Sequence, residues 1–291
     1  MHLANQMTTT TNTTTKVTVA DVIADRFIQS LQNGVAPWQK PWVCVSPQNG
    51  VSRKPYSGVN AFTLAFFGSD DYYLTFNQVK ALGGQIEAGT KGLPVTFFAK
   101  VEDKKKGKRA DGTNHEFLLA RYYTVFPVNK CGLPDFKRAN KVITFTPVEQ
   151  AEKLASLNTC PVTHGGNSAH YSPTLHTIGM PTKESFKTVE QYYSTLFHEI
   201  GHSLKEKGTH SKDGFGSPEY AKEELVAELF ASIALNECGL LATTTFNNSA
   251  SYLDNWLKVL SSDKTMIQKA SSEAFKRWNK LNGATKQEEA E

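Results

Sequence analysis

Between Thr188 and Leu204 the chain reads as one amphipathic helix carrying His198-Glu199-Ile200-Gly201-His202, and no other segment restricts the fold as strongly. Residues four apart lie on one face of an α-helix, so His198 and His202 can direct ring nitrogens at a common point, with Glu199 beside it. Thr188 suits the N-cap, and Gln191 stands at the spacing of a capping box. Val189, Tyr192, Leu196, Phe197, Ile200 and Leu204 form a stripe wide enough to bury most of this helix. A buried helix with two histidines needs a second element packed against it to complete a ligand set.

Two histidines and a carboxylate in this pattern suit a divalent metal, with Zn2+ expected and another ion such as Mn2+ as the alternative. The metal would acidify a water molecule and polarise a scissile carbonyl, while Glu199 takes the water's proton and passes it to the leaving amine. That is peptide-hydrolysis chemistry. A catalytic zinc usually takes three protein ligands and keeps one position open. In the subclass whose third ligand is histidine, the motif extends with glycine and histidine at set distances. Here those places hold Lys205 and Gly208, and His210 is out of register.

The next helix starts at Ser217-Pro218, ends at Gly239 and contains Glu223-Glu224-Leu225-Val226-Ala227-Glu228. Its Glu224 and Glu228 share a face, which is similar to the thermolysin-like arrangement. There a glutamate on a second helix is the third ligand, and an acidic residue four positions later orients a ligand histidine. On that likeness Glu224 is the expected ligand and Glu228 the residue behind it, while Glu223, a quarter turn away, is expected in solvent. The same residues would also serve a site that binds metal and cleaves nothing. Cys160 with His164 could be half of a metal site, but proline and glycines surround the pair and loop structure is the expectation. His170 and His176 precede a short strand expected at Thr174 to Met180, where either could reach a substrate.

A length of 291 residues accommodates two domains, and the pattern divides accordingly. Met1 to Lys16 is rich in threonine and asparagine, lacks the marks of a signal peptide, and is expected to be a disordered leader. Residues 17–135 read as a mixed α/β domain. Helices are expected over Val17 to Gln32, Asn60 to Phe67 and Thr75 to Leu82, followed by a hairpin of Val95 to Val101 with Glu116 to Phe126. Residues 136–146 are a polar linker, and 147–291 a mostly helical domain with a small sheet. The fold class is therefore α+β. No apolar run is long enough to span a bilayer, so no membrane association is expected. The scattered Cys44, Cys131, Cys160 and Cys238 fit packed thiols in a reducing, cytoplasmic setting.

Charge separates the two parts. Up to Val148 the chain carries 18 Lys+Arg against 10 Asp+Glu, a balance of +8; the remainder carries 14 against 18, a balance of −4. A basic half suggests a polyanion as partner. Sequence-tolerant binding of single strands needs cations along the phosphates and aromatic faces for the bases. The candidates are Trp38, Trp42, Arg53, Lys54, Tyr56, Lys91, Arg121, Tyr122 and the basic hairpin tip with Lys104, Lys105 and Lys106. Each tryptophan could equally be core packing, and the tip a solvated turn.

From Val19 to about Leu240 the chain resembles the ArdC-type antirestriction proteins of conjugative plasmids and related mobile elements. In the first half the likeness rests on Pro37-Trp38 with Pro41-Trp42, Tyr56-Ser57-Gly58-Val59-Asn60, Gly83-Gly84 with Lys91-Gly92, and Tyr123-Thr124-Val125-Phe126 leading to Gly132-Leu133-Pro134. In the second it rests on His164-Gly165-Gly166, Tyr171-Ser172-Pro173, Ile178-Gly179-Met180-Pro181, Tyr192 to Glu199 and Tyr220 to Glu228. The resemblance implies a single-stranded-DNA-binding domain joined to a zincin-like metallopeptidase domain, in a bacterial protein that protects incoming DNA from host restriction. It implies single-stranded DNA as partner, with a protein substrate or a restriction-modification subunit as a second. Alternatives are a DNA-dependent metalloprotease acting on DNA-bound proteins, or a single-stranded-DNA-binding protein with a silent metal site. The chain departs from the family pattern at Pro127 and His176, which bears on substrate detail.

Overall fold

The structure, a computed structural model, describes residues 18–34, 47–102, 115–138, 146–206, 217–240 and 250–283. The expected leader, Trp38, Trp42, Cys44 and Lys104 to Lys106 lie outside the described residues, as does most of the expected linker. The first half opens with α1 (Val19–Gln32), whose Thr18 cap forms a reciprocal box with Asp21. It continues through β1 (Gln48–Asn49), α2 (Gly58–Phe67), β2 (Tyr72–Thr75), α3 (Phe76–Ala81), β3 (Leu93–Glu102) and β4 (Glu116–Pro127). Thr75 and Gln78 box the start of α3 in the same way as Thr18 and Asp21 do α1. The strands make a four-stranded sheet in the order β1-β2-β4-β3, parallel only between β1 and β2.

The second half comprises α4 (Pro147–Ala155), β5 (Val162–His164), β6 (His170–Ser172), β7 (Thr177–Met180), α5 (Val189–Ser203), α6 (Pro218–Cys238), α7 (Ala250–Ser262) and α8 (Met266–Leu281). The three strands form a sheet in the order β5-β7-β6, with β5 parallel and β6 antiparallel to β7. The sequence pattern indicates only β7 of these, because strands of three residues are too short to show alternation. Ser217 caps α6 and Pro218 occupies its first turn, while Gly239 ends it at φ 73°, a left-handed angle that glycine adopts without strain. The fold is α+β with two parts, as the sequence indicates.

The largest core is common to the two halves. One apolar cluster contains Ile23 and Phe27 of α1, Val59, Phe62 and Phe66 of α2, and the buried faces of α4 to α8. Phe62 of α2 meets Phe275 of α8 edge to face at 5.5 Å. A smaller cluster of Tyr56, Leu64, Tyr73, Leu93, Val95 and Val125 fills the space between α2 and the larger sheet. Helix α8 therefore touches α2 on one side and α6 on the other.

Candidate metal centre

Helix α5 is placed by its own apolar stripe. Tyr192, Tyr193, Leu196, Phe197 and Ile200 are buried, and α6 lies alongside with Leu225, Val226, Leu229 and Phe230 in the same cluster. Gly201 permits the close approach, since a Cβ there would come within 3.1 Å of the Phe230 ring and 3.3 Å of the Ala227 Cα. The approach brings His198, His202 and Glu224 together, their ligand atoms all within 4.8 Å of one another. Among the described residues this is the one such group of three or more potential metal ligands.

The donor set fits a divalent ion. His198 Nε2 and His202 Nε2 are 3.1 Å apart, and each stands close to a Glu224 oxygen, at 3.4 and 3.5 Å. Donors about 2.1 Å from a tetrahedral zinc ion stand about 3.4 Å from one another, so these spacings suit one ion. Glu199, next to His198 on the helix, is 8% exposed. Burial opposes charge on His198, yet hydrogen bonds to Glu224 and Glu228 outweigh it and hold the imidazole pKa well above its usual range. Burial likewise raises the Glu224 carboxyl, but the histidines prevail and hold it below the ordinary value.

Each histidine has a carboxylate at its far nitrogen. Glu228 Oε1 stands 3.3 Å from His198 Nδ1, the place that the likeness to the thermolysin-like arrangement implies for it. Glu223, expected in solvent, instead accepts a hydrogen bond from His202 Nδ1 at 3.0 Å. Its burial is made tolerable by Arg277 of α8, which donates from both terminal nitrogens at 2.7 and 2.9 Å, and by Lys205 at 3.1 Å. Arg277 is 2% exposed and donates as well to the Gly201 carbonyl at 2.9 Å, between the two histidines. Burial pushes the Glu223 carboxyl up, but bonds from His202 and Arg277 and the Arg277 charge hold it well below the usual range. Sequence reading placed Glu223 in solvent and missed Arg277. Arg277 was detectable as the one charge on the buried stripe of Ala270, Ala274 and Leu281 in α8.

The other candidates fall elsewhere. Cys160 directs its thiol at the His176 carbonyl, and His164 bonds Tyr192, so no half-site forms. His176, at φ 50°, bonds the Tyr171 hydroxyl, and His170 packs over Gly179. In the first half, the Arg53 guanidinium stacks on Tyr72 and Phe136 and donates to the Lys137 carbonyl, while Tyr56 is only 6% exposed. The faces of Tyr56 are thus closed to a stacking base. Lys54, Lys91, Arg121 and Tyr122 are exposed. Arg121 and Tyr122 adjoin along β4 and so face opposite sides of the sheet. Phe97 and Tyr123, not picked out from sequence, share the Arg121 face and meet at 5.6 Å.

Two histidines on one helix, a glutamate across from them and a buried glutamate between define a zincin-like metallopeptidase domain, and the model of that family matches residues 149–273. Residues 18–126 match the N-terminal domain of anti-restriction factor ArdC. The chain belongs to the ArdC type of antirestriction protein, with these two domains in this order. The antirestriction ArdC protein of plasmid R388 superposes in its Mn(II)-bound form with a TM-score of 0.75 and 29% identity, over 93% of this chain and 100% of that one. Its metal-free form gives 0.72 and 28%, over 91% and 97%. Two Escherichia coli proteins named DNA primase TraC are 31% and 33% identical over 88% and 87% of this chain. The match covers only 19% and 26% of their own length. No described helix is long and apolar enough to cross a membrane.

Proposed function

We propose that the protein binds single-stranded DNA through its basic half, protects incoming mobile-element DNA from restriction in the bacterial cytoplasm, and carries a gluzincin-type peptidase centre. The observation that carries the enzymatic part is the convergence of His198, His202 and Glu224 with Glu199 buried beside them. His198, His202 and Glu224 hold the ion, for which Zn2+ is the first choice; the Mn(II)-bound relative supports a divalent ion more generally. When bound, such an ion acidifies water and polarises a carbonyl. Glu199 takes the proton of the attacking water and hands it to the leaving amine. Glu228 and Glu223 fix the two imidazoles so that Nε2 of each faces the centre. The DNA-binding part is assigned to residues 17–135 and the peptidase part to 147–291, a division supported by the family matches at 18–126 and 149–273.

The test is Glu199→Gln. This variant should keep divalent-ion and oligonucleotide binding, and should lose both protection of transferred DNA from restriction and cleavage of any protein partner, such as a restriction-modification subunit. Protection at the wild-type level in this variant would show that the centre does not act by proteolysis.

A further inference from the structure

Where the two halves meet, a cleft of about 630 Å³ opens between the start of α2, strand β3 and helix α8. That volume lies in the range of small-ligand sites. Its back wall is the first turn of α2, where Ser57 makes no side-chain capping bond, so the leading amides of a turn that lines the cleft are left without a side-chain cap. Asn60 pins this turn in place by pairing with both the amide and the carbonyl of Thr96 on β3, at 2.8 and 2.7 Å. Thr96 also lines the cleft, is 6% exposed, and has a hydroxyl with no hydrogen-bond partner. From α8 come Lys269, tied to Asp263 at 2.8 Å, and Ser272, which lies 3.7 Å from where a Cβ on Gly58 would sit.

The rim is aromatic. Phe97 is 44% exposed at the cleft edge, and the row Tyr56, Phe97, Tyr123 runs from the cleft onto the sheet, with Arg121 opposite Phe97 in register. Uncapped helix amides and a lysine suit a phosphate, and an exposed ring beside them suits a base. We infer that this cleft holds one nucleotide unit of a bound single strand, its phosphate on the α2 amides near Lys269 and its base against Phe97. The inference rests on the proposed binding of single-stranded DNA and assigns it a place to which both halves contribute.

The test uses the full chain and a fluorescent oligo(dT) at low salt. Phe97→Ala removes the exposed ring, and Ser272→Glu sets a carboxylate facing the α2 amides from an exposed helix position. Each should weaken binding about tenfold or more. Lys153→Glu on α4, remote from the cleft, changes net charge by more than Ser272→Glu does and should stay within about twofold of wild type. Unchanged melting temperatures, and rescue of the Phe97 position by Tyr, separate loss of contact from loss of fold. If wild type binds and neither cleft variant weakens binding, or if Lys153→Glu weakens it as much as they do, the assignment is overturned. A wild type that binds no oligonucleotide would overturn the DNA-binding reading itself.

Discussion

His202 presents Nε2 to the centre only while its Nδ1 keeps a partner, and that partner, Glu223, is held by Arg277 and Lys205. Replacing Glu223 by Gln should therefore lower divalent-ion affinity by roughly 10- to 100-fold, measured by competition with a chromogenic chelator. Arg277→Ala should do the same and cost about 3–5 kcal/mol of stability, because the buried Glu223 carboxylate loses its two-bond partner and keeps only the single contact with Lys205. Helical spacing sets His198 against His202 and Glu224 against Glu228, the likeness to the thermolysin-like arrangement singled out Glu224 as the proposed third ligand, and the structure brings His198, His202 and Glu224 together. The environment of Glu223 was not legible from sequence, since it depends on a residue of another helix, Arg277. A second buried acid gives a pH signature. Asp70 accepts two bonds from Arg138, at 2.6 and 2.7 Å; burial raises its carboxyl, but Arg138 and two backbone amides hold it below the ordinary 3.8. A depressed folded value means stability that is present above pH 3.8 and lost as the pH falls through that lower value. Asp70→Asn should accordingly lower the melting temperature at neutral pH, with the gap to wild type closing in acid.

At the scale of elements, the contact between α5 and α6 decides whether ligands on two helices meet. Gly201 sits at that contact, and Val there would have to displace Phe230 or the α6 backbone. Such overpacking costs about 1–3 kcal/mol. Gly201→Val should thus lower both melting temperature and metal uptake, and a variant with undiminished uptake would show that the helices can part without disturbing the ligands. Helix starts were legible at Thr188 and Ser217, whose side chains bond the adjacent turn, whereas Thr18 and Thr75 fall within the expected helices and were not picked out as caps. Strands β5 and β6 were hidden because three residues carry too little alternation, and their place is set by β7 between them.

For the molecule as a whole, composition and charge indicated two parts but not how they join. The burial of Phe27, Phe62 and Phe66 against α7 and α8 could not be read from either half alone, since an apolar helix face looks the same whatever covers it. A common core predicts common unfolding. Calorimetry should show one heat-absorption peak with calorimetric and van't Hoff enthalpies in agreement, and two resolved peaks would contradict it.

The same shared core bears on how such a chain can be inherited. A genetic exchange that moved one half into a new context would deliver α1 and α2, or α7 and α8, with an uncovered apolar face and a tendency to aggregate. Residues 18–283 are on this view a single cassette, viable when transferred whole. The two TraC-named relatives match 88% and 87% of this chain within far longer chains, which is the pattern expected when the seam between the halves is a poor place to cut.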